Sequence, residues 1–114
     1  MRVKRGASID RCSGRILSAA IKIEPIITSY GVDELVITEG EATIKHSVPH
    51  SRHYFGDVGE SDAIDIRSRD LRNYNLEEIA RKIRRKLGPN YYVKVEKTHF
   101  HIHWAPVWAG VTDE

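Results

Sequence analysis

The stretch Val95-Glu96-Lys97-Thr98-His99-Phe100-His101-Ile102-His103-Trp104 constrains this chain more than any other. Side chains on a β-strand point alternately to opposite faces. His99, His101 and His103 therefore share one face, and Phe100, Ile102 and Trp104 the other. The apolar face can join a core, which leaves the imidazoles together on the polar one. Three of the six histidines in the chain fall within these five residues, so chance clustering is a poor explanation. Imidazole is a common zinc ligand, and a nearby glutamate is the usual general base for zinc-activated water. Glu96 stands three residues before His99.

A second cluster lies upstream, Lys45-His46-Ser47-Val48-Pro49-His50-Ser51-Arg52-His53-Tyr54-Phe55-Gly56, followed by Ser61-Asp62-Ala63-Ile64-Asp65-Ile66-Arg67. The latter also alternates, with Ile64 and Ile66 on one face and Ala63, Asp65 and Arg67 on the other. A catalytic zinc site takes three protein ligands and keeps one position open. His53, Asp65 and His99 would supply those ligands. Bland alternatives exist for each: a solvated histidine ladder, an Asp65–Arg67 charge pair, an exposed carboxylate at Glu96. The co-occurrence of all of them favours the metal. Three alternating histidines cannot all ligate comfortably, so His101 is expected beside the metal, as an orienting or substrate-binding group. Ser51 reads as a loop-fixing hydrogen bonder rather than a nucleophile.

These residues form a pattern: Ser51-x-His53-x-x-Gly56, then Ala63-x-Asp65, then Glu96-x-x-His99-x-His101. The pattern resembles the LAS zinc peptidases, a group that includes D-alanyl-D-alanine carboxypeptidases, L-alanyl-D-glutamate phage endolysins and the hedgehog signalling domain. The resemblance spans roughly Ile16 to Trp104. It implies that His53, Asp65 and His99 hold zinc and that Glu96 is the base. Two departures stand out. The family usually places its first histidine and its aspartate seven residues apart, whereas His53 and Asp65 are twelve apart. The excess reads as an insertion around Asp57-Val58-Gly59-Glu60-Ser61. Glu60 sits at the family's offset, but Asp65 is the acid flanked on both sides by apolar strand residues, and Asp57, Glu60 and Asp62 fall in what reads as a loop. The family's upstream Arg or Gln has no match in Thr38-Glu39-Gly40-Glu41-Ala42-Thr43-Ile44, and Lys45 is a possible substitute.

A chain of 114 residues is one domain. A formal net charge of +2 is too mild for a dedicated nucleic-acid binder, but it suits a polyanionic surface such as a cell wall. Cys12 is the only cysteine, which excludes an internal disulfide and carries no evident chemistry. No stretch reaches the roughly 18 apolar residues of a membrane helix. The basic start Met1-Arg2-Val3-Lys4-Arg5-Gly6 runs into Ile9-Asp10-Arg11-Cys12 rather than an apolar signal core, so no signal peptide is read. A wall-cleaving enzyme of this kind would stay cytoplasmic until lysis or export.

Residues 1–13 read as a polar N-terminal arm and 14–114 as the zinc peptidase domain. Ile16, Ala20, Ile23, Ile27 and Tyr30 recur at helical spacing, with Pro25 either kinking the helix or opening its second half, and Gly31 as a stop. Glu34 to Thr38 reads as a strand and 40–62 as loop. Asn75 is the expected N-cap of a helix with a Leu76, Ile79, Ala80, Ile83, Leu87 stripe, ended by Gly88-Pro89. Its basic run, Arg81-Lys82-Ile83-Arg84-Arg85-Lys86, reads as a solvated face near the C-terminus, where cations are favoured. Tyr91 to Val95 is a strand, and a tight turn at Lys97-Thr98 leads into the histidine strand. The order predicts an α+β domain: a small antiparallel sheet with helices packed on one face, hedgehog/DD-peptidase-like.

The expectation is a zinc-dependent peptidase that cuts peptidoglycan stem peptides as a monomer, encoded by a phage or prophage, with no nucleic-acid or membrane partner. Glu96 would move the proton, and His101 or Lys45 would help stabilise the oxyanion. The alternatives are a non-catalytic zinc-binding interaction module of the same fold and, less well supported, an HUH-type single-strand endonuclease. The latter needs a nucleophilic tyrosine on a helix after the histidine pair, and no Tyr follows His103.

Overall fold

A computed structural model describes residues 1–40 and 61–106. The elements run β1 (Arg2–Val3), α1 (Gly14–Thr28), β2 (Val36–Glu39), β3 (Ala63–Arg67), a 3-10 turn (Arg69–Leu71), α2 (Leu76–Leu87), β4 (Tyr91–Val95) and β5 (His99–Trp104). Lys45, Ser51, His53 and most of the expected insertion lie outside the described residues.

The fold is α+β, but the sheet is mixed rather than antiparallel throughout. Among the described residues, five strands run in the order β1-β2-β3-β5-β4. The pairs β2–β3, β3–β5 and β4–β5 are antiparallel, whereas β1 lies parallel to β2. The difference comes from the N-terminal arm. Arg2 N–H donates to the Leu35 carbonyl at 2.9 Å and Lys4 N–H to the Ile37 carbonyl at 2.8 Å, so the arm supplies an edge strand. Adjacent parallel strands need a long crossover, and α1 is part of it.

One sheet face carries Ile37, Ile64, Ile66, Val93, Phe100 and Ile102 into a single cluster with Ile16, Ala20, Ile23 and Ile27 of α1 and Ile79 and Ile83 of α2. Both helices therefore cover that face, as the alternation in β3 and β5 predicts. Ser13 caps α1, its Oγ accepting from Ile16 N–H at 3.3 Å. Pro25 lies inside this one helix, within its last turn, where it forgoes the bond that an N–H there would donate to the Ile21 carbonyl. Asn75 caps α2, its Oδ1 accepting from Glu78 N–H at 3.1 Å. Gly88 ends α2 at φ 85°, ψ −176°. Among the described residues, no helix is long and apolar enough to cross a membrane.

Ser61 and Asp62, read as loop, are firmly held. Ser61 is fully buried, and its Oγ donates to the Gly40 carbonyl at 2.9 Å. Asp62 Oδ2 accepts from Arg15 of α1 at 3.0 Å. Gly40 itself is pressed against the arm: a Cβ there would lie 2.6 Å from the Ser8 carbonyl oxygen and 3.0 Å from Cys12 Sγ.

Candidate active site

The face of the sheet opposite the helices collects the polar residues that the alternation assigned to it. Across β3 and β5, Ala63 stands opposite His103, Asp65 opposite His101 and Arg67 opposite His99. Across β4 and β5, Tyr92 stands opposite His103 and Lys94 opposite His101. The hairpin continues this register, with Glu96 N–H donating to the His99 carbonyl at 2.9 Å and Lys97 and Thr98 turning the chain. Asp65, Glu96, His99 and His101 are thus neighbours on adjoining strands. On the other side, a register shift after Ile37 pairs Glu39 with Asp65.

Asp65 is the centre of the cluster. Its Oδ1 lies 3.0 Å from His101 Nδ1, its direct cross-strand partner. Its Oδ2 lies 3.4 Å from Nε2 of His99, its diagonal neighbour. Thr98 Oγ1 lies 3.2 Å from His99 Nδ1, so the ring nitrogen left facing Asp65 is Nε2. His101 Nε2 in turn lies 2.8 Å from His103 Nδ1. Tyr92 stacks on His103, with ring centroids 4.9 Å apart and planes inclined by 27°. Asp65, His101 and His103 are buried, at 6%, 7% and 0% exposure, so these hydrogen bonds are shielded from water.

Asp65 and His99 have the spacing of two neighbouring zinc ligands. Two ligand atoms about 2.0–2.1 Å from a tetrahedral zinc lie about 3.3–3.4 Å apart. The 3.4 Å between Asp65 Oδ2 and His99 Nε2 matches that edge, while it is long for a hydrogen bond. A ligating histidine ordinarily has its second nitrogen hydrogen-bonded, and a ligating carboxylate its second oxygen. Thr98 and His101 occupy those positions. Among the described residues no three His, Cys, Asp or Glu side chains make a complete metal-holding group. The third expected ligand, His53, lies outside them, as do Ser51 and Lys45.

Neighbouring charges are committed elsewhere. Arg67 gives its guanidinium to Asp70, at 2.9 and 3.1 Å, so the charge pair that competed with ligation for Asp65 has another acceptor. Asp62 turns toward α1 through Arg15. Glu96 is partly exposed, with Oε1 3.5 Å from Lys94 Nζ. Sequence reasoning placed Asp65, Glu96, His99 and His101 but overlooked Tyr92, Lys94, Thr98 and the distinct place of His103. Tyr92 and Lys94 were within reach, since strand alternation in Tyr91–Val95 puts both on the histidine face once the hairpin register is counted back from the turn.

Comparison with protein-family models, with curated proteins and with solved structures finds no match to this chain.

Proposed function

We propose that this chain is a zinc-dependent peptidase of the LAS type that hydrolyses peptidoglycan stem peptides. The observation that carries the reading is the 3.4 Å approach of Asp65 Oδ2 to His99 Nε2, with the remaining polar atoms of both residues engaged by His101 and Thr98. The motif residues that resemble those of the LAS peptidases support the substrate class, and the mild positive charge suits an anionic wall.

Asp65 and His99, with His53, would hold the metal. Zinc in such a site polarises the scissile carbonyl and makes water nucleophilic near neutral pH. The chain's own residues then divide the work. Glu96, opposite His99, takes the proton of the attacking water and delivers it to the leaving amine. His101 has both ring nitrogens occupied by Asp65 and His103, which favours a carboxylate-orienting role over donation to substrate. Lys45 is left as the expected cation for the developing oxyanion. The wall as target places the enzyme's action after lysis or export, as for a phage or prophage protein.

The test is direct. The purified protein is assayed for bound metal, then incubated with purified peptidoglycan, and the released fragments are identified by mass. About one zinc per chain and new stem-peptide termini are expected. A chain that takes up zinc but releases nothing would favour the non-catalytic interaction module. Far less than one equivalent after zinc is supplied would sink the peptidase.

A further inference from the structure

We propose that His103 is a positioning residue, which fixes the tautomer of His101 and through it the orientation of the Asp65 carboxylate. The inference rests on the reading of Asp65 as a metal ligand. An ionised carboxylate only accepts hydrogen bonds, so His101 must present a proton on Nδ1 to meet Asp65 Oδ1 at 3.0 Å. A neutral imidazole then has a bare Nε2. That atom faces His103 Nδ1 at 2.8 Å, and the contact is a hydrogen bond when His103 carries its proton on Nδ1. For a neutral His101, donation then runs one way, from His103 to His101 to Asp65. Reversing the tautomer of His101 would set a lone pair against a carboxylate oxygen in a buried site, which is strongly unfavourable.

The sheet builds this relay. His101 and His103 are two apart on β5 and so share a face. His101 stands opposite Asp65, and His103 opposite Ala63, whose small side chain leaves room for the imidazole. Tyr92, across the other edge of β5, stacks on the His103 ring and limits its rotation. With Oδ1 of Asp65 held by His101, Oδ2 is the oxygen turned toward His99. His103 thus acts on the candidate centre without touching it.

The relay is testable before any metal is added. In metal-free protein labelled with ¹⁵N at histidine, the nitrogen shifts should show His101 and His103 as Nδ1–H tautomers. A through-hydrogen-bond N–N coupling should link His101 Nε2 to His103 Nδ1. His101 protonated on Nε2, or no coupling, overturns the proposal. A second arm uses zinc affinity from chelator competition. His103→Asn keeps a donor at the Nδ1 position and should bind zinc nearly as well as wild type. His103→Leu keeps bulk without the donor and should weaken zinc about 10- to 100-fold, the usual effect of losing a group that orients a ligand. Equal weakening in both variants would mean that only packing matters and would overturn the proposal. If His103→Leu does not fold, the coupling in the unsubstituted protein decides. A wild-type chain that shows the coupling but takes up no zinc supports the relay and removes the peptidase reading instead.

Discussion

Glu96 stands opposite His99 across the β4–β5 hairpin, its backbone N–H hydrogen-bonded to the His99 carbonyl at 2.9 Å. The bond fixes both backbones and leaves the Glu96 side chain partly exposed, beside Lys94. Glu96→Gln preserves the backbone bond and nearly the same shape, but the amide cannot accept the proton. The variant should keep its fold and its zinc while turnover of wall peptides falls about a hundredfold to ten-thousandfold. Normal turnover would show that the base lies elsewhere.

Asp65→Ala should strip the metal, and Glu60→Ala should leave it bound. Asp65 is held by strand pairing on both sides and by His101, so its carboxylate is preorganised. Metal content by elemental analysis of the two proteins, each checked for folding by circular dichroism, separates them. The reverse pattern would place the ligand at Glu60, the position favoured by the family's usual offset.

Gly88→Ala should destabilise the protein by about 1–3 kcal/mol, because φ 85° with ψ −176° is a region that essentially only glycine occupies. Its N–H also closes α2 by donating to the Arg84 carbonyl at 2.9 Å. Urea denaturation would measure the loss. The residue lies at the end of a helix on the other side of the sheet from Asp65, so zinc affinity measured well below the unfolding midpoint should not change.

Tyr91 gives a pH dependence at the alkaline end. Burial pushes its phenol above the ordinary value of 10.0, and the hydroxyl donates to the Arg15 carbonyl at 2.9 Å. The folded state holds this proton more tightly than the unfolded chain does. Its contribution is therefore intact below pH 10 and is lost as pH rises above 10 through the folded-state pKa. Tyr91→Phe should flatten the decline in melting temperature over that range. An unchanged slope would assign the alkaline loss to other groups.

Elements with a strong local signal were legible in the sequence. The alternation in Ala63–Arg67 and His99–Trp104 named the right strands and the right faces, and Asn75 and Gly88 bracketed α2. The edge strand was not legible. Arg2 and Val3 are too few for a period, and what recruits them is the unpaired edge of β2, which no local pattern reveals. The same limit applied to the site. Alternation made His99, His101 and His103 equivalent, while the register of β3 against β5 decides which of them meets Asp65, and register is set by tertiary packing. The bulge that pairs Glu39 with Asp65 was hidden for the same reason.

The bond from Ser61 Oγ to the Gly40 carbonyl joins two residues twenty-one positions apart in sequence. The bond therefore fixes the separation of the ends of β2 and β3 independently of the sequence interval between them. Closing a loop of twenty residues rather than fifteen costs only about 0.3 kcal/mol more, since the penalty grows as the logarithm of length. Five extra residues between His53 and Asp65 are thus cheap for this architecture, and sequence distance between the two says little about whether they can share an ion.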